Sequence, residues 1–84
     1  MAKFRKKPVV IEAFRYGHDD SPDWMEEALE KEFARVHESP ARIAIDTPEG
    51  TMTARRGDWV IRGIHGEIYP CKHEIFQATY EPAE

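Results

Sequence analysis

The spacing of apolar side chains changes several times along this chain, and each change predicts an element. In PVVIEAFRY, Val9, Ile11 and Ala13 alternate with Val10, Glu12 and Phe14. Two-residue alternation led by β-branched side chains predicts a strand over 8–15. Pro8 suits its first position, where a missing N–H does least harm. Arg5, Lys6 and Lys7 guard that end against edge pairing.

After a loop at Gly17–Asp20 the period lengthens. Met25, Ala28, Leu29, Phe33 and Val36 follow Trp24 at the spacings of one helical face, with acids on the other. Ser21 offers an N-cap oxygen, Pro22 fits the first helical position, and Asp23 favours the positive helix end. These signals predict one long helix over about 22–37, ended by Pro40.

Alternation returns in ARIAIDTPEGTMTA, where Ile43 and Ile45 flank Ala44. Thr47-Pro48-Glu49-Gly50 has Pro second and Gly fourth, the chemistry of a hairpin turn with a bulge. Thr51–Ala54 is the expected return strand. Gly57 permits a tight turn at Arg55–Asp58. Trp59–Arg62 and Glu67–Pro70 read as paired strands around the loop Gly63-Ile64-His65-Gly66. A four-residue loop sets Arg62 opposite Glu67 and Ile61 opposite Ile68.

Cys71-Lys72-His73-Glu74 resembles a helix start, with Glu74 placed to close a capping box. It predicts a short helix over about 72–78, although Phe76, Ala78 and Tyr80 also alternate as in a strand. The expected fold is α+β: a curled, mostly antiparallel sheet in the order β-α-β-β-β-β-α, with one long amphipathic helix packed on it. The point at which the first strand joins the sheet stays open.

Eighty-four residues make one small domain (residues 1–84), which buries only ~60–65% of its unfolded surface. A deep substrate cavity would take up much of such a core. The single cysteine, Cys71, excludes an intrachain disulfide and points to a reducing cytoplasm. The apolar run Pro8–Ile11 is too short for a signal peptide, and no stretch approaches the ~20 apolar residues of a membrane span.

The net charge of −4 is unevenly spread. Residues 17–38 carry eight acids and two bases, whereas the remainder carries ten bases and eight acids. The acidic stretch is either a solvated helix face or a docking surface for a basic partner, with Glu26, Glu27 and Glu30 at its centre.

Candidate chemistry concentrates in residues 57–76. Cys71, His73 and His65 are potential metal ligands, but the paired spacing of a zinc site is missing. Cys71 with His73 is a conceivable nucleophile and base; a helix N-terminus at Cys71 would favour its thiolate. No phosphate-binding or dinucleotide motif occurs. Gly63-x-x-Gly66 has the spacing of an RNA-clamping loop but the setting of a hairpin. Arg55, Arg56, Trp59, Arg62, His65 and Tyr69 are the candidate residues for a small-molecule or nucleotide ligand; Lys3, Arg5, Lys6, Lys7, Arg55, Arg56 and Arg62, with Trp59 and Tyr69, form a candidate basic patch. The overall acidity argues against nucleic acid. Trp24 and Trp59 read as core or interface anchors.

FRKKPVVIEAF at the start and GTMTARRGDWVIRGIHGEIYPCKHEIFQATYEP at the end resemble a family of short phage and prophage proteins of uncharacterised function. The shared pattern is PVVIEA, then GDW(I/V)I(R/K)G, GE, YPCK, IF and TYE. Gly57, Asp58, Trp59, Gly66, Glu67, Tyr69, Pro70 and Cys71 match it; the acidic middle does not take part. The resemblance implies a virus-encoded accessory protein made inside a bacterium, and it brings no catalytic residue. With the composition, it gives the expectation of a cytoplasmic, non-enzymatic protein without cofactor or metal. Such a protein would bind a host or viral protein, with a small homo-oligomer in keeping with its size. Ligand sequestration is the alternative, and a Cys71-dependent enzyme the third.

Overall fold

The computed structural model describes residues 2–5, 7–38 and 41–83. Lys6 and Pro40, expected to guard a strand end and to stop the helix, lie outside the described residues. The element order is β1 (Glu12–Arg15), α1 (Asp23–Glu30), β2 (Ala34–Glu38), β3 (Ala41–Thr47), β4 (Gly50–Arg55), β5 (Trp59–Arg62), β6 (Ile68–Cys71) and α2 (His73–Thr79). The α+β class holds, but the single curled sheet does not. There are two three-stranded antiparallel sheets, ordered β1-β5-β6 and β2-β3-β4.

The long helix is also corrected. α1 has eight residues, half of the expected helix, and from Ala34 onward the chain is the strand β2. Glu32 marks the break. It has φ 65, its N–H donates to the Leu29 carbonyl, and the Phe33 N–H donates to the Ala28 carbonyl. This is a Schellman stop with Glu32 at the left-handed position usually held by glycine. Beyond it, Ala34, Val36 and Glu38 pair with Ile45, Ile43 and Ala41. Val36 thus meets both helical and strand spacing, and pairing to β3 decides between them. At the other end of α1 the N-cap is Pro22 rather than Ser21, with no side-chain cap; its carbonyl accepts from the Met25 and Glu26 N–H groups.

β1 covers only half of the expected 8–15. Its ladder to β5 runs from Glu12–Arg62 to Arg15–Trp59, and β5 ends where the chain turns at Gly63. The β5–β6 register is one residue off the sequence expectation: Arg62 pairs with Ile68 and Ile61 with Tyr69. The Gly63 N–H donates to the Glu67 carbonyl at 2.7 Å, which leaves a three-residue loop with Gly66 at φ 83. The Glu67 carboxylate turns back to accept the His65 N–H, and Arg62 pairs instead with Glu12 at 3.0 Å.

The hairpin at Thr47–Gly50 is as expected but without the bulge: Thr47 pairs with Gly50 and the register continues unbroken to Arg42–Arg55, while the Thr47 Oγ1 accepts from the Glu49 N–H at 3.1 Å. The C-terminal helix is also present, but its capping box is not. Lys72 is the N-cap without a side-chain bond, and Cys71 belongs to β6.

The main core lies between the sheets and under α1. Phe14 and Val60 from one sheet meet Ala34, Ile43, Ile45 and Ala54 from the other, with Met25 and Ala28 from the helix. Trp24 packs edge-to-face on Phe14 at 5.6 Å. Side chains alternate along β5, so Val60 enters this core while Ile61, equally buried, points to the opposite face. α2 packs over that second face.

Candidate functional site

The residue-dense tail is built around β5. Gly57 takes φ 97 and closes a turn in which the buried Asp58 carboxylate accepts the Arg55 N–H at 3.0 Å. Gly57 and Asp58 also exchange backbone hydrogen bonds with Tyr16, which ties the turn to the end of β1. Lys72 stands 3.6 Å from Asp58. Trp59 follows, on the same sheet face as Ile61, Tyr69 and Cys71, because Trp59 pairs with Cys71 and Ile61 with Tyr69.

Helix α2 supplies the cover. Phe76 lies face-on to Trp59, with centroids 4.0 Å apart and planes 4° apart, and Tyr80 tilts against Phe76. The Trp59 Nε1–H donates to His73 Nδ1 at 3.0 Å. Those two rings are nearly coplanar at 6.4 Å, which is side by side in one plane as the hydrogen bond requires, rather than face-to-face. Tyr69 and Tyr80 bring their hydroxyls to 3.5 Å, and burial first, then this neighbour, pushes the Tyr69 phenol above its ordinary range. Beside these rings runs an open groove of about 530 Å³, walled by Val9, Val10, Ile11, Trp59, Phe76 and Tyr80 and reaching Glu81 and Ala83.

No family model, curated protein or solved structure matches the chain. The site is therefore read from its geometry.

The six candidate ligand residues do not share one surface. Trp59 and Tyr69 lie under α2. Arg62 points to the opposite sheet face and pairs with Glu12. Arg55 and Arg56 sit at the β4–β5 turn, where an Arg56 guanidinium N–H reaches the Gly17 carbonyl at 3.4 Å. His65 is exposed at the tip of the β5–β6 loop.

Cys71 donates weakly to the Lys72 carbonyl, and burial, then Asp58, push its thiol above the ordinary 9.0. That is the reverse of the thiolate stabilisation a helix N-terminus would give. His73 spends Nδ1 on Trp59. Among the described residues no three His, Cys, Asp or Glu gather into a metal-holding set.

The acidic candidates do share a face. Met25 and Ala28 turn α1 toward the core, which leaves Asp23, Glu26, Glu27 and Glu30 exposed on its outer side. Lys31 bridges Glu27 at 2.7 Å, and this hydrogen bond holds the Glu27 carboxyl below its ordinary value. The groove was not legible beforehand. Val9–Ile11 read as strand, and only the end of β5 leaves them free to form a wall. Among the described residues no helix is long and apolar enough to cross a membrane.

Proposed function

We propose that this chain is a phage-encoded accessory protein that acts without catalysis, binding a host or viral protein through the acidic outer face of α1. The observation that carries this reading is the arrangement of charge on that helix. Asp23 lies three and four residues before Glu26 and Glu27, and these lie four and three before Glu30. Like charges at those spacings repel. Glu30 also ends the helix, where a negative charge opposes the dipole, and the last turn has no base. Lys31 relieves Glu27 directly. The dipole favours Asp23 and Glu26 in the first turn but opposes Glu30 at the end, so the charge there is better explained by what it meets. A basic patch on a partner protein is the matching chemistry. The viral origin and bacterial cytoplasmic setting rest on the resemblance of the two ends of the chain and on the lone thiol.

The test is capture from bacterial lysate with wild type and E26Q/E30Q. Wild type retains a partner that salt releases. The double variant loses it while melting at the same or a higher temperature, since repulsion has been removed. Equal capture by both proteins, or capture by neither, sinks the proposal. The small-molecule reading has less support, because its six residues lie on separate surfaces.

A further inference from the structure

Helix α2 is held without a single fully buried residue, and its N-cap Lys72 gives no side-chain bond. Among the described residues its one side-chain hydrogen bond to β5 is the Trp59 Nε1–H to His73 Nδ1, at 3.0 Å. That bond fixes the protonation state of the ring. An indole N–H can only donate, so Nδ1 must be bare and the proton of the neutral imidazole sits on Nε2. We propose that His73 is a pH-sensitive latch on α2: protonation of its imidazole turns Nδ1 into a donor, breaks the bond to Trp59 and loosens the helix from β5.

The geometry makes the break direct. The two rings lie within 9° of one plane, so a proton on Nδ1 would point at the indole N–H, donor against donor. The imidazole can turn away, but α2 then gives up its polar tie to the sheet. His73 is only half-buried, so the proton has access to it. The bonded form is the neutral form. The latch is therefore closed above the imidazole range, about pH 5–8, and opens as pH falls through it.

The ionisable groups at this end of α2 are otherwise engaged. From β1, Arg15 lies opposite Trp59, and its Nε–H donates to the Gly57 carbonyl at 2.9 Å. From the β4–β5 turn, Asp58 accepts the Arg55 N–H and faces Lys72 at 3.6 Å. β6 brings Cys71, whose thiol burial keeps protonated across this range. α2 itself adds the exposed Glu74. Among the described residues none of these bonds to His73, so no carboxylate holds an imidazolium in place. Phe76 and Tyr80 follow His73 along α2 and its C-cap and wall the open groove. The latch thus sets how firmly that wall is held.

Nitrogen-15 NMR of the full chain between about pH 8 and 5 tests this. As pH falls, the Trp59 indole N–H signal is expected to move toward that of an unbonded indole. The Trp24 indole, packed on Phe14, is expected to stay in place. The Phe76 and Tyr80 amides bond back along α2. Their hydrogen-exchange protection is expected to fall about fivefold, the worth of one net hydrogen bond, with β3 unchanged. In H73N an amide oxygen stands where Nδ1 stood and takes up no proton. Its Trp59 signal and α2 protection are expected to keep their high-pH values throughout. A wild-type Trp59 indole that does not move overturns the proposal. So does an H73N protein that titrates like wild type, which would assign the change to Asp58 or Glu74. The substitution leaves α1 untouched, so this result stands apart from partner capture.

Discussion

Glu32 carries the largest local consequence for its size. A residue with a β-carbon at φ 65 costs about 1 kcal/mol relative to glycine, and its side chain is exposed. E32G is therefore expected to stabilise the fold by about 1 kcal/mol, seen as a raised midpoint in urea at unchanged slope. A loss of stability instead would mean that the Glu32 side chain contributes more than its strain takes away. The position was hidden because a glutamate after Lys31 looks like helix continuing; only the hydrogen bonds to Ala28 and Leu29 reveal the stop.

Cys71 gives a second test at this scale. Its raised thiol pKa means that the native state holds the proton more tightly than the unfolded chain does. The associated stability is therefore full below pH 9.0 and is lost as pH rises through the native value. Alkylation at neutral pH should be slow, with a midpoint above 9.0. A midpoint below that would restore the nucleophile reading.

Among the elements, α2 depends most on one contact. None of its residues is fully buried, and Phe76 on Trp59 is its closest aromatic anchor. F76A is expected to cost about 2–3 kcal/mol, less than a fully buried aromatic, and to red-shift Trp59 fluorescence as the ring loses its cover. An unchanged stability would show that α2 adds nothing to the fold.

The short elements with their own turn chemistry were legible from sequence: the Pro48–Glu49 corner, the Gly57 turn and the helix start after Cys71. Two others were not. Residues 34–38 satisfy both periods, and β3 chose the strand. The β5–β6 register slipped by one because Glu67 caps its own loop instead of facing Arg62. The expected charge pair was thus lost, and Glu12, fifty residues before Arg62, replaced it.

At the scale of the whole molecule, the sheet β1-β5-β6 separates two apolar layers of unequal depth. The layer toward β3 holds Met25, Ile43, Ile45 and Val60, all essentially inaccessible. The layer toward α2 contributes Ile61 and half-buried rings. Hydrogen exchange should therefore be slowest in β3 and β5 and faster in α2, whose hydrogen bonds open without exposing the main core. Uniform protection across α2 and β3 would mean that the two layers unfold as one.

The acidic face of α1 was visible from sequence, because a −6 stretch with amphipathic spacing needs no partner to be recognised. Its extent was not, since half of that stretch became strand and turn.

Sequence alone determined the class of the domain, most turns and the side of α1 that carries charge, because these depend on residues within one turn or one hairpin of each other. The tertiary structure decided that there are two sheets rather than one. It also set Val60 and Ile61 into different layers, and it placed Trp59, Phe76 and Val10 around one groove. Those outcomes depend on which distant strand supplies each hydrogen-bond partner, and no local spacing encodes that choice.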